Sequence, residues 1–148
     1  MLTHHRLKVY EKALALGAGA EALSGSWGRR HAIVEHFRRA SESIVLNIAE
    51  GGRLVSGSDK AKTLDYAFGS ALECAACLDI ASIKERLTPE RALVEKRRLL
   101  EVARMLIGLR KAWLRTAMHE ESNLLVHLRR VSDKVSDKVS DKERIARQ

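Results

Sequence analysis

The sequence contains few of the residues that end helices or favour strands. It has one proline, nine glycines and an aromatic content of 4%. No segment alternates polar and apolar residues for long enough to predict a strand, so these absences favour an all-helical fold. With 148 residues, of which 45% are hydrophobic, the chain is long enough for one domain with a real core.

Long apolar runs are also missing from the sequence. No run approaches the roughly 20 residues that cross a bilayer, and the first ten residues lack the apolar centre of a signal peptide. We therefore expect a cytoplasmic protein with no membrane partner. Its two cysteines, Cys74 and Cys77, would be reduced thiols in that compartment.

Motifs that carry catalysis or hold a cofactor are the third absence. Cys74 and Cys77 have the spacing of a redox pair, but they lie among alanines in a helical pattern, which favours buried thiols. The six histidines form no metal motif, and the Glu-x-x-His pattern of di-iron bundles is missing. Neither a phosphate-binding glycine loop nor a nucleophile elbow is present. The sequence predicts a protein that is not an enzyme and has no metal or cofactor.

Positive charge is abundant and unevenly distributed. The formal net charge is +8 and the isoelectric point is about 9.9, which favours an acidic partner such as nucleic acid. Residues 89–117 hold eight basic and three acidic residues, whereas residues 118–148 hold seven and six. The excess charge therefore lies mainly in the last predicted helix.

Hydrophobic periodicity and capping residues predict four helices: about Leu7 to Leu23, Gly28 or Arg29 to Glu50, Asp59 to Glu85, and Pro89 to at least Arg115. Gly51 and Gly52 are expected to end the second helix, Ser58 to cap the third and Thr88 to cap the fourth. The expected fold is an antiparallel up-down four-helix bundle of residues 1–117. A charged, low-complexity extension of residues 118–148 follows, with Val-Ser-Asp-Lys repeated three times. We expect it to be solvated or frayed; the alternative is a helix docked on another subunit.

The stretch from Phe37 to Gly52 organises the rest of the chain. One narrow helical stripe joins its apolar positions: Ile33, Phe37, Ala40, Ile44 and Ile48. Asn47 lies at the edge of this stripe, where an amide needs hydrogen bonds, and Glu50 lies in the last predicted turn, where a carboxylate opposes the helix dipole. These two unfavourable choices suggest specific partners. The alternative is a satisfied core amide and an ordinary surface acid.

The fourth helix carries a basic stripe. Arg97, Arg104, Lys111 and Arg115 lie within about 40° of one another on a helical wheel. Opposite them are the apolar positions Leu99, Ala103, Leu106 and Trp113. At 1.5 Å per residue the stripe spans roughly 27 Å, enough to follow several phosphates. We expect these four residues to bind a nucleic-acid backbone; the alternative is a solvated helix face.

The apolar arc of the same helix is broader than one bundle groove needs, since it extends as far as Leu100 and Ile107. Leu46, on the second helix, also lies away from the core stripe. This surplus of apolar positions predicts a homo-oligomer.

Several segments resemble one protein family. They include Arg38-Arg39-Ala40, Ser43-Ile44, Asn47-Ile48-Ala49-Glu50-Gly51 and Gly69-Ser70-Ala71-Leu72-Glu73. Over about residues 6 to 115 the chain resembles the four-helix-bundle family of proteins encoded in 23S ribosomal RNA intervening sequences. A related branch holds the accessory variability determinant proteins of diversity-generating retroelements. The resemblance marks Arg38, Ser43, Asn47, Glu50, Gly51, Gly69 and Glu73 as motif residues.

The resemblance implies an assembly and a set of partners. Related proteins form ring-like homopentamers, and the implied partner is either a retroelement reverse transcriptase or ribosomal RNA with its processing machinery. Together with the charge, this predicts a non-enzymatic accessory protein that binds RNA or DNA. The alternatives are a protein-interaction scaffold, or a ribosomal-RNA-associated protein of unknown role.

Overall fold

Four α-helices make up nearly all of the structure. The computed structural model describes residues 3–28 and 31–146, with side chains at 4–28, 31–127, 129 and 130. A 3₁₀ turn at Thr3–Arg6 precedes the helices α1 (Lys8–Gly25), α2 (Ala32–Arg53), α3 (Gly57–Ile83) and α4 (Pro89–Ala146). No strand occurs in the described ranges. The predicted all-α fold with four helices is confirmed, while the ring-like pentamer stays a prediction.

The helices run antiparallel, as contacts between neighbours show. Cys74 of α3 lies beside Phe37 of α2, and Ser70, one turn earlier, lies beside Ser43 of α2. Salt bridges join the other pairs of neighbouring helices, which are also antiparallel. They are Glu21–Arg38 between α1 and α2, Asp79–Lys96 and Asp65–Arg110 between α3 and α4, and Lys12–Glu101 between α1 and α4. Each helix therefore contacts two neighbours around one core, as in an up-down bundle.

Local chemistry sets the ends of α3 and α4. Thr88 caps α4 as predicted, because its Oγ1 accepts a hydrogen bond from the backbone N–H of Arg91 at 3.3 Å and Pro89 takes the first helical position. The predicted cap of α3 was wrong by two residues. Ser56, not Ser58, accepts the hydrogen bond from the backbone of Asp59.

The predicted bounds of α2 were also wrong at its end. Gly51 and Gly52 lie inside the helix, which continues to Arg53. Glycine occurs at these two positions because neighbouring residues pack too closely for a side chain, and not because the helix ends there. At the other end α2 begins at Ala32. Gly28 lies outside the helix at φ +92°, and the alternative start, Arg29, lies outside the described residues.

Burial follows the expected stripe of α2, where Phe37, Ile44 and Ile48 are buried. On α1 Val9, Ala13 and Ala20 form the buried face, while Leu14 and Ala18 are exposed. On α3 Leu72 is 57% exposed. The core therefore combines large side chains of α2 with small residues of α1, and some large apolar side chains, such as Leu14 and Leu72, stay outside it.

The chain divides into two compact units, Met1–Leu114 and Arg115–Gln148. The first unit contains the bundle. In the second the backbone is helical as far as Ala146, so the repeated Val-Ser-Asp-Lys segment is helical and not frayed. Whether it is solvated or docked on another subunit stays a prediction. Since no glycine or proline follows Gly108, nothing in the sequence breaks this helix. The predicted division at residues 117 and 118 stays a prediction.

By length and composition alone, α3 could cross a membrane, and it is the one helix among the described residues that passes this test. The expectation that no segment is long and apolar enough was therefore too strong. Core helices of soluble proteins share this composition, and 33% of the apolar window is buried here. The absence of a membrane partner stays a prediction.

Candidate nucleic-acid interface

The basic stripe lies on the outer face of α4. Arg97, Arg104 and Lys111 are exposed within the first unit, and Arg115 is exposed within the second. Leu99 and Leu106, on the opposite face, are 5% and 1% exposed, so core burial fixes which way the stripe points. The structure thus places all four predicted residues at the surface.

The cations of α4 in the first unit fall into two sets. Four of them form salt bridges: Arg91 and Arg98 with Glu95, Lys96 with Asp79, and Arg110 with Asp65. Arg97, Arg104 and Lys111 form none with any side chain in the described ranges. Glu101, an acid that lies along the stripe between Arg97 and Arg104, pairs with Lys12 of α1 at 2.8 Å. The three predicted residues are therefore the uncompensated ones.

A groove between α3 and α4 runs beside the stripe. One hollow of about 430 Å³ is lined by Phe68, Leu72, Leu100 and Ile107, with Arg104 at its edge. A second hollow of about 250 Å³ shares Phe68 and Ile107 and has Lys111 at its edge. Sequence reasoning missed this groove, because its aromatic residue lies on α3, far from the stripe in the chain.

Two family-motif residues, Ser43 and Gly51, pack α2 against its neighbours, and a third, Asn47, hydrogen-bonds Ser43 within α2. The Asn47 side-chain amide donates hydrogen bonds to the Ser43 carbonyl at 2.8 Å and to its hydroxyl at 3.1 Å. The Ser43 hydroxyl in turn lies 2.8 Å from the Ser70 hydroxyl of α3. Asn47 is thus a satisfied amide, as the alternative interpretation predicted.

Gly51 is fixed by steric exclusion. A Cβ atom at this position would overlap the Thr63 hydroxyl and come within 3.0 Å of the Trp113 ring. Lys60 of α3 covers the same ring, with its ammonium 5.5 Å from the ring centre. At Gly51 three helices meet too closely for any side chain.

Four other motif residues lie at or near the surface. Arg38 hydrogen-bonds Glu21 of α1, which holds the pKa of that carboxyl below its ordinary value. Glu50 is exposed and 4.0 Å from Arg53. Glu73 is exposed and 3.9 Å from His36, and Gly69 has open space where a Cβ would be. The motif residues are therefore not gathered into one site.

The cysteines are buried thiols. Burial raises the pKa of Cys74 to about 12 and that of Cys77 to about 11, so both stay protonated near neutral pH. The Cys74 thiol faces the Phe37 carbonyl at 3.9 Å. Within the described residues no three His, Cys, Asp or Glu side chains lie close enough together to hold a metal.

Comparison with known proteins identifies a family and a similar solved structure. Residues 5–108 match the family described as 23S rRNA-intervening sequence protein. The chain is also similar to the crystal structure of a protein with unknown function from the S23 ribosomal protein family of Bacteroides thetaiotaomicron. The TM-score is 0.66 at 23% identity, over 70% of this chain and 98% of that one, a likeness that shows the fold alone. No curated protein matches the chain. Because the family match spans more than half of its residues, the chain belongs to the 23S rRNA-intervening sequence protein family.

Proposed function

We propose that this chain is a non-enzymatic accessory protein that binds the backbone of RNA or DNA through the basic stripe. The observation that carries this proposal is the lack of acidic partners for Arg97, Arg104 and Lys111 in the described ranges, while every other cation of α4 in the first unit has one. Uncompensated surface cations attract phosphates and release condensed counterions when they bind them.

The spacing of these three residues suits a backbone contact. They recur every seven residues along one helix face, so the first and last lie about 21 Å apart. Phosphate contacts of this kind position a nucleic acid and do not read its bases, so the stripe alone binds without sequence preference. Three contacts are few for tight binding. A homo-oligomer would multiply them around a symmetry axis.

Exposed apolar residues of α1 and α2 support oligomerisation. Leu14 and Leu46 are 47% and 66% exposed, and both line one hollow between these helices. A second copy that covered them would remove this apolar surface from water. We propose a ring-like homopentamer, in keeping with the resemblance to proteins that form such rings.

Two partners fit the proposal. Family membership favours ribosomal RNA, since the family is described by the 23S rRNA intervening sequence. The resemblance to retroelement accessory proteins favours a reverse transcriptase with its RNA. Affinity purification in mild salt from the native host, followed by identification of both proteins and nucleic acids, distinguishes the two.

Charge reversal of the stripe tests the binding. The triple variant Arg97→Glu, Arg104→Glu and Lys111→Glu should abolish binding to a labelled RNA or DNA in fluorescence anisotropy, with unchanged helical content in circular dichroism. Binding at wild-type strength would show that the stripe is not the interface.

A matched variant controls for net charge. Arg39, Lys62 and Lys84 are exposed cations outside α4, and replacing them with Glu changes the net charge by the same amount. This control should weaken binding much less than the stripe variant, because only long-range attraction is reduced. An equal loss in both variants would mean that net charge alone attracts the nucleic acid.

A further inference from the structure

The groove between α3 and α4 combines apolar walls with charged edges. Phe68 is half-buried and forms part of both hollows, while Leu72 and Leu100 are 57% and 48% exposed. Arg104 stands at the edge of one hollow and Lys111 at the edge of the other. Seven residues of helix separate these two cations, which is about 10 Å. Each hollow therefore has its own adjacent cation.

The charges around the groove are unbalanced. Two acids lie along its α3 side, and both are already paired: Asp79 with Lys96 and Asp65 with Arg110, the latter at 2.6 Å. The stripe cations along the α4 side have no such partner in the part of the chain that the structure describes. An occupant of the groove must therefore bring negative charge at its edge and an apolar surface toward its centre.

We propose that this groove binds single-stranded nucleic acid, with bases against the apolar walls and phosphates on Arg104 and Lys111. The inference rests on the proposed function and names the form of nucleic acid that the site takes. A single strand presents base faces that can lie against aromatic and apolar side chains, whereas a duplex stacks those faces on one another. A second copy of this chain suits the groove less well, because it carries a net charge of +8.

The test compares a groove variant with a matched control on two probes. The groove variant is Leu72→Ser with Leu100→Ser; the control is Val55→Ser with Ile83→Ser, which removes two exposed apolar side chains that line neither this groove nor the hollow between α1 and α2. The probes are a labelled single strand of about 20 nucleotides without self-complementarity and the duplex of the same sequence. Fluorescence anisotropy at fixed salt gives the affinities, and sedimentation gives the mass of each variant.

The wild-type protein should prefer the single strand, and the groove variant should lose about 5-fold or more of that affinity while keeping its affinity for the duplex and its mass. The control should bind both probes like the wild type. Unchanged single-strand binding in the groove variant, with binding still abolished by charge reversal of the stripe, overturns this inference and leaves the proposed function intact.

Two further outcomes also overturn the inference. If wild-type protein binds neither probe, the proposed function fails with it. If the groove variant has a lower mass than the wild type while the control does not, the groove holds a second copy of the chain rather than a nucleic acid.

Discussion

Helix α2 carries family-motif residues and α4 carries the basic stripe, and the two groups of side chains differ in what they contact. On α2, Ser43, Asn47 and Gly51 contact other parts of the same chain through hydrogen bonds or close packing. On α4, Arg97 and Arg104 form no salt bridge with any side chain that the structure describes. Part of the family motif on α2 therefore packs the bundle, and the uncompensated charge on α4 marks its proposed interaction surface.

Such a difference would let one fold serve unlike partners. The contacts of α2 maintain the bundle in any member that keeps them, whereas the exposed face of α4 can change without disturbing the core. Membership of the family thus predicts the fold of the chain more strongly than its partner. The following predictions test whether α2 is tightly packed against its neighbours and whether its motif residues act in folding rather than in binding.

The largest expected effect concerns the thiols between α2 and α3. Because their pKa values are raised to about 12 and about 11 from an ordinary 9.0, Cys74 and Cys77 should react with a thiol reagent at pH 8 about 100-fold more slowly than in unfolded protein, or slower still. Above about pH 9 the unfolded thiols lose protons first, so the free energy of unfolding should fall as the pH rises. Equal labelling rates in buffer and in denaturant would show that the packing between these helices is open.

The next effect separates two glycines of the motif. Gly51→Ala should lower the free energy of unfolding by about 1–3 kcal/mol, because the added methyl group overlaps Thr63 and crowds Trp113. Gly69→Ala is the matched control. It adds a methyl group to open space on a helix and should raise the free energy of unfolding by up to about 1 kcal/mol.

Urea denaturation measures both glycine variants. Opposite signs would establish that one glycine is kept for packing within the chain and the other is not. A stable Gly51→Ala variant would mean that Thr63 and Trp113 move aside at little cost.

A smaller effect is expected from the hydroxyl pair that joins α2 to α3. Ser43→Ala and Ser70→Ala should each lower the free energy of unfolding by about 0.5–1.5 kcal/mol, since each removes one partner of a 2.8 Å hydrogen bond. The double variant should lose less than the sum of the two, and thermodynamic double-mutant analysis gives the coupling. Simple additivity would show that the hydroxyls do not interact.

The smallest effect is expected at Glu50. This exposed motif residue lies 4.0 Å from Arg53, so Glu50→Gln should change the free energy of unfolding by no more than about 0.5 kcal/mol. Anisotropy with nucleic acid should also be unchanged. A clear loss of binding would give the α2 motif a direct functional role and end the division between the two helices.

At the start of α4, where local chemistry decides the structure, the sequence was sufficient to predict it, although the same kind of reasoning placed the cap of α3 two residues too late. Thr88 and Pro89 start α4 at the predicted residue because capping and proline geometry act within one turn. Gly51 and Gly52 predicted a helix end and instead lie inside the helix. The reason is tertiary, since Thr63 and Trp113 leave no room at Gly51 for a side chain. Glycine, which often ends helices, is required at this position for close packing instead.

The candidate site shows the same limit. Periodicity predicted that Arg97, Arg104 and Lys111 share the outer face of α4, and they do. Which cations lack an acid could not be predicted, because Asp65 and Asp79 reach α4 from another helix. Phe68 belongs to the groove for the same reason. The partners of a surface charge depend on neighbours that only the folded chain brings together.

The two tryptophans have a practical consequence. Trp27 is 1% exposed and packs against Phe37. The backbone carbonyl of Trp27 accepts a hydrogen bond from Arg86 at 2.6 Å. Trp113 of α4 is half-buried beside Gly51 of α2. Gly51 lies about 21 Å from Phe37 along the axis of α2. The chain therefore carries an intrinsic fluorophore at each end of its bundle. Replacing one indole at a time lets the other report, without any added dye, whether the two ends melt together.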